Sequence, residues 1–125
     1  MTQINFSRNG DALYVEFSVR VGVLAASYSL SLVEAGSVHI IATYTGDNQS
    51  IDDDKFILPK PATVNDSRKL DWTVVFNGLD LSMSPSYEFN INLYQGNTKI
   101  GQTVSTGTLS GSDQYANGLI VLKAV

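Results

Sequence analysis

The residues best suited to chemistry in this sequence are aspartates in one polar segment, at position 47 and at positions 52 to 54. Carboxylates are ligands that Ca²⁺ prefers, so Asp47, Asp52 and Asp54 form a candidate calcium site. Their spacing lacks the glycine and the closing glutamate of an EF-hand loop. Paired carboxylates can also act as acid and base in glycoside hydrolases. A solvated surface loop is the third interpretation of this segment.

A second group of residues is suited to binding. Tyrosine rings can stack on sugar rings, and side-chain amides can hydrogen-bond to sugar hydroxyls. We expect six such side chains on polar strand faces or in a loop, and they form the candidate ligand-binding set: Tyr14, Asn90, Asn92, Tyr94, Tyr115 and Asn117. The last two are predicted to lie in a loop. The outside of any β-sandwich also carries such residues.

Catalysis has little support in the sequence. The single histidine, His39, falls in a predicted strand, and the chain has no cysteine and no G-x-S-x-G nucleophile motif. We therefore predict a protein that is not an enzyme. Calcium is the only cofactor that the sequence indicates.

A predicted hairpin over residues 87–104 must position most of the candidate binding residues. Apolar and polar residues alternate along its first arm, as in a strand with one buried face. Gly96-Asn97 fits a two-residue turn, since glycine accepts a positive φ. Counting outward from this turn places Leu93 opposite Ile100. A second layer is needed to cover the apolar face of the hairpin.

Further strands are predicted from alternation and β-branched content at residues 3–6, 13–23, 25–33, 38–45, 55–58, 70–76 and 119–125. A helix is the alternative for residues 25–33, although serines at alternate positions favour a strand. A three-residue turn before residue 38 would place Leu32 opposite Ile40. Trp72 shares its parity with apolar neighbours and is assigned to the core. Seven to nine short strands predict an all-β, antiparallel β-sandwich with residues 1–125 as one domain.

Composition narrows the possible functions. The chain has 125 residues, a net charge of −4 and eight basic residues, so nucleic-acid binding is not expected. No apolar run approaches the ~20 residues that a membrane-spanning helix needs. The start of the sequence lacks the pattern of a signal peptide. We expect a soluble protein, either cytoplasmic or secreted by a non-classical route.

Two groups of residues resemble known families. Leu81, Pro85 and Tyr87 resemble the tyrosine corner of fibronectin type III and immunoglobulin-like domains. Short segments between positions 44 and 81 form a second pattern, which consists of Tyr44-Thr45, Ile51-Asp52, Phe56, Leu58-Pro59-Lys60, Val74-Val75, Asn77-Gly78 and Asp80-Leu81. This pattern resembles the fungal immunomodulatory proteins. The resemblance implies a cysteine-free sandwich of the fibronectin type III kind that dimerises and binds cell-surface carbohydrate.

The sequence departs from that family at two places. Gly46-Asp47-Asn48-Gln49 stands where the family has a Trp, Gly and Arg segment, and the family begins with an amphipathic helix. From residues and resemblance together, we expect a lectin-like recognition module that binds cell-surface glycans and forms a homo-oligomer. The alternative is a structural or assembly protein, such as a pilus, phage or secretion-system component, that joins copies through sheet edges.

Overall fold

The structure, a computed structural model, describes residues 2–21, 25–47, 54–77, 86–108 and 113–125. These residues form a short 3₁₀ helix, Ala62–Asn65, and nine strands: β1 (Thr2–Phe6), β2 (Leu13–Val21), β3 (Ala25–Val33), β4 (Ile40–Asp47), β5 (Asp54–Ile57), β6 (Lys69–Asn77), β7 (Ser86–Gln95), β8 (Thr98–Thr108) and β9 (Asp113–Ala124). The prediction of an all-β sandwich is confirmed. Residues 25–33 form a strand, as the alternating serines predicted.

The strands form two sheets. The five-stranded sheet has the order β1-β9-β6-β3-β4, and the four-stranded sheet has the order β5-β2-β7-β8. Neighbours are antiparallel except β1 and β9, which are parallel. The hairpin β7–β8 extends the four-stranded sheet beyond β2.

The core lies between the two sheets because one parity of each central strand is apolar. Phe17 of β2 stacks on Tyr28 of β3 with ring centroids 3.8 Å apart. Trp72 of β6 is 5% exposed and meets Phe89 of β7 edge-on at 4.7 Å. These contacts join strands of opposite sheets. The assignment of Trp72 to the core is confirmed.

The register of the β7–β8 hairpin differs from the prediction. Gly96 has a φ of 59°, so the turn forms where glycine was expected to allow it. A bulge then makes Ile100 an extra residue, and Leu93 pairs with Gly101 instead of Ile100. Leu93 nevertheless points inward, with an exposure of 1%. The bulge moves every later residue of β8 by one position, which reverses the face on which it lies.

Other boundaries also needed correction. A bulge at the end of β3 places Val33, rather than Leu32, opposite Ile40. His39 lies in the exposed turn before β4, outside the strand in which it was predicted. The predicted loop before residue 119 is part of β9, which begins at Asp113.

A charged cluster anchors the segment between β5 and β6 to the sandwich. The Arg68 guanidinium donates to both carboxylate oxygens of Glu34, at 3.2 and 3.1 Å. The hydrogen bond from Arg68 and one from the Ala35 N–H hold the pKa of Glu34 below its ordinary value. Asp66 accepts the Ala124 N–H at 2.9 Å, and this bond, followed by the nearby charges of Lys123 and Arg8, lowers the pKa of Asp66.

Candidate functional site

The outer surface of the four-stranded sheet brings together most of the candidate binding residues. The pairing of β2 with β5 and β7, and of β7 with β8, arranges its outward side chains in rows. One row consists of Ile57, Tyr14, Tyr94 and Lys99, and the next consists of Lys55, Glu16, Asn92 and Gln102. We call these two rows the Glu16 face. Inward residues between them, such as Val15 and Leu93, are fully buried and hold the strands in place.

Glu16 is the centre of this face. Its Oε1 accepts a hydrogen bond from Asn92 Nδ2 at 3.1 Å and one from the Tyr94 hydroxyl at 3.4 Å. The Lys55 ammonium lies 3.9 Å from Glu16 Oε2 and 5.0 Å from the centroid of the Tyr94 ring. The Glu16 side chain is 16% exposed, while Lys55 is 58% exposed. The carboxylate is therefore oriented by neighbours from two strands, with an exposed cation at its rim.

A shallow hollow lies beside this carboxylate. It has a volume of about 180 Å³ and is lined by Tyr14, Lys55, Tyr94, Gly96 and Asn97. Tyr14 and Tyr94 lie directly opposite each other on neighbouring strands, and both are half-buried. The hollow is smaller than the pockets of roughly 300–1,000 Å³ that enclose drug-sized ligands. Its size suits one ring of a larger ligand.

The candidate binding residues separate into two groups in the structure. Tyr14, Asn92 and Tyr94 belong to the Glu16 face, and Asn90 lies on the same surface, opposite Ser18. Tyr115 and Asn117 were predicted to lie in a loop. They are strand residues of β9 and lie on the outer surface of the other sheet. The two groups are therefore on opposite sides of the sandwich.

The surface around Asn117 is flatter and more open than the hollow on the Glu16 face. Tyr115 is 70% exposed, and Asn117 borders a hollow of about 410 Å³ together with Asp71, Gly118 and Leu119. Gly118, between these outward residues, points inward opposite Trp72, and a Cβ there would lie 2.6 Å from Cζ2 of the indole, so only glycine leaves room for the ring. The start of β9 was not predicted because residues 113–118 are polar or small and show no apolar alternation.

The predicted calcium ligands fall mainly at the limits of the described residues. Asp47 ends β4 and Asp54 begins β5, while Asp52 lies outside the described residues. Tyr44 of β4 contacts Phe56 of β5 at 5.1 Å between ring centroids, so the two strands meet along one edge of the sandwich. The described residues contain no group of three side chains of His, Cys, Asp or Glu that could hold a metal ion. The calcium site stays a prediction.

Sequence reasoning missed Glu16 and Lys55 as site residues. Glu16 follows Tyr14 by two positions and therefore shares its strand face, which was a usable signal. Lys55 could not be found in this way, because its place opposite Glu16 depends on the pairing of β2 with β5. Gln95, the last residue of β7, has a structural role, since its amide donates to the backbone oxygens of Ser7 and Asp11 at 2.8 and 3.0 Å.

Comparison with known proteins gives no relatives on which to base a function: no protein-family model, curated protein or solved structure matches the chain significantly. Within the described residues, no helix has the length and apolar character needed to cross a membrane. A functional assignment therefore has to be based on the geometry of the Glu16 face and on the residues themselves.

Proposed function

We propose that this protein is a non-enzymatic, lectin-like module that binds cell-surface carbohydrate through the Glu16 face. The main supporting observation is the placement of two cross-strand tyrosines beside a carboxylate that Asn92 and the Tyr94 hydroxyl hold in position. A sugar ring presents apolar C–H faces and hydroxyls at its rim. The tyrosine rings can pack on such a face, and the carboxylate and amides can bond to hydroxyls.

The charges on the face also suit a neutral ligand. Glu16 and Lys55 are close enough to balance each other, and the two rows of the Glu16 face carry one further charged residue, Lys99. The resemblance of residues 44–81 to the fungal immunomodulatory proteins is a further reason to propose cell-surface glycans as the ligand. A shallow site of this kind binds a single sugar weakly.

The test is a glycan array followed by titration of the best ligand against two matched variants. Tyr14→Ala removes a ring from the Glu16 face, whereas Tyr115→Ala removes an exposed ring from the opposite surface. We expect Tyr14→Ala to weaken binding at least about tenfold, and Tyr115→Ala to leave it unchanged. Circular dichroism checks that both variants fold. The proposal is wrong if the array is silent, or if only Tyr115→Ala weakens binding.

The second candidate is a structural protein that assembles through sheet edges. The observation that favours it is the long edge strand β8, which carries a single charged residue, Lys99. An assembly protein of this kind would join β8 to a different sheet edge of the next copy, and so would grow into larger oligomers as its concentration rises, with or without sugar. Gel filtration over a range of concentrations, with and without the best array ligand, distinguishes the two candidates.

A further inference from the structure

Strand β8 lies at the edge of the four-stranded sheet, and among the described strands its backbone has a neighbour, β7, on one side only. Beyond the bulge, residues 101–108 contain no charge and no proline, and their pairing with β7 is regular. Natural edge strands are usually protected by charges, prolines, bulges or shortness. This stretch of β8 has none of these protections, and no described strand pairs with its outer edge.

The sequence of this open stretch is nearly the same in both directions about Val104. Of the pairs at equal distances from Val104, Gly101 and Gly107 are identical, Thr103 and Ser105 both carry a hydroxyl, and Gln102 and Thr106 are both polar and uncharged. If two copies of β8 pair antiparallel with Val104 opposite Val104, each residue meets its counterpart. Small residues then meet small residues, and hydroxyls meet hydroxyls. No like charges are brought together.

The faces of the strand are compatible with this register. A two-fold axis perpendicular to a sheet keeps each face of the sheet on the same side. An inward residue of one copy can therefore lie opposite only an inward residue of the other, and an outward residue opposite only an outward one. Gly101, Thr103, Ser105 and Gly107 pair with core residues of β7 and point inward. Val104 points outward and is 45% exposed. In the symmetric register, inward residues of the two protomers lie opposite each other. The two Val104 side chains meet on the outer face and shield each other from solvent.

Thr103 supplies an independent observation. Its hydroxyl oxygen is buried and has no hydrogen-bond partner in the part of the chain that the structure describes. A buried polar group without a partner costs free energy. In the symmetric register, Ser105 of the second copy lies directly opposite Thr103. Cross-strand Thr–Ser pairs form hydrogen bonds between their hydroxyls. The register that suits the residue sizes therefore also places a suitable group beside this hydroxyl.

We propose that the protein is a two-fold symmetric homodimer in which β8 of one copy pairs antiparallel with β8 of another, centred on Val104. The two four-stranded sheets then join into one sheet in the order β5-β2-β7-β8-β8-β7-β2-β5. Such an interface uses the same edge of both copies, so it closes at two copies and does not grow into a fibre. The pairing needs no ligand and is independent of the carbohydrate proposal.

Cysteine cross-linking tests the register directly, because the chain has no cysteine of its own. Val104→Cys places two thiols on directly opposite residues, whose Cβ atoms are about 4.5–5.5 Å apart, near the range for a disulfide. Thr106→Cys is the matched control on the same strand and face. Position 106 lies opposite position 102 of the second copy, so the two introduced thiols are about 13 Å apart at 3.3 Å per residue. Val75→Cys is a control on the other sheet, at a residue that is 38% exposed.

We expect mild oxidation to give a covalent dimer from Val104→Cys at least ten times faster than from either control. Sedimentation equilibrium of the wild-type protein should show a dimer. Val104→Lys should dissociate it, since it places like charges directly opposite each other, while Val75→Lys should not. A wild-type monomer at the highest soluble concentration would overturn the proposal. Cross-linking of a control as fast as Val104→Cys would overturn it too.

Discussion

Replacement of Gly101 by alanine distinguishes the observed, bulged register of the β7–β8 hairpin from the unbulged register that the sequence predicted. The two registers predict changes of opposite sign in the free energy of unfolding. In the unbulged register Leu93 faces Ile100, and Gly101 points to solvent. An exposed strand glycine replaced by alanine usually gains about 0.4–1 kcal/mol, because the unfolded chain loses conformational freedom. In the structure Gly101 points inward opposite Leu93. The same substitution should then be destabilising.

The expected magnitude follows from the packing of Ile4. A Cβ on Gly101 would lie 2.8 to 2.9 Å from three side-chain atoms of Ile4, which is 4% exposed in the core. Overpacking of a core by one methyl group costs about 1–3 kcal/mol. Subtraction of the gain of about 0.4–1 kcal/mol in the unfolded state leaves a net cost of roughly 0–2.6 kcal/mol.

Urea unfolding of a double-mutant cycle measures this cost. Ile4→Ala alone should cost about 2–5 kcal/mol. In the Ile4→Ala background, Gly101→Ala should lose its penalty and become neutral or stabilising, because the atoms that it meets are gone. The bulged register is refuted if Gly101→Ala stabilises the wild-type protein. It is also refuted if the penalty is the same with and without the Ile4 side chain.

Two further predictions concern ions and pH. If Asp47, Asp52 and Asp54 bind calcium, millimolar Ca²⁺ should raise the melting temperature relative to chelator, because a ligand of the native state stabilises it. Identical melting curves would leave a solvated loop. For Glu34, the pKa is lowered below 4.5 in the folded state, so its stabilisation is present above that pH and is lost as the pH falls through the folded-state pKa. The gap in melting temperature between wild type and Glu34→Gln should therefore be constant from about pH 7 to 5 and should close as the pH falls through the lowered pKa of Glu34; a gap independent of pH would contradict this.

The sequence predicted the fold well where burial depends on local alternation. Leu70, Trp72, Val74 and Phe76 of β6 are all buried, as their shared parity required. The first arm of the hairpin was also assigned correctly for this reason. Each of these strands has a large apolar side chain at every second position, and the opposite sheet covers it.

The second arm of the hairpin was misread because its core-facing residues are small. Gly101 lies under Ile4, and a Cβ on Gly107 would lie 2.7 Å from the Tyr87 hydroxyl oxygen. Side chains from neighbouring strands fill this part of the core, so β8 needs little volume of its own. The apolar residues Ile100 and Val104 then indicated the wrong parity.

The candidate site was only half predictable. Tyr14 and Tyr94 were recognised as outward-facing residues, since each lies between inward apolar residues. Their meeting depends on the pairing of β2 with β7, strands that lie far apart in the sequence. The same pairing brings Glu16 to Asn92. Alternation shows which residues face outward, but contacts between distant strands decide which of them form a site.

The two proposals together predict how binding should depend on the dimer. A two-fold axis perpendicular to the joined sheet places both Glu16 faces on the same side, so two weak sites can engage one glycan-covered surface. Val104→Lys should then reduce binding to immobilised glycan much more than binding to free monovalent sugar, because it removes avidity and leaves each site intact. Surface plasmon resonance and calorimetry measure the two quantities. An equal loss of binding to immobilised glycan and to free sugar would mean that Val104 acts on the binding site itself. Unchanged binding to both would mean that dimerisation does not contribute to recognition.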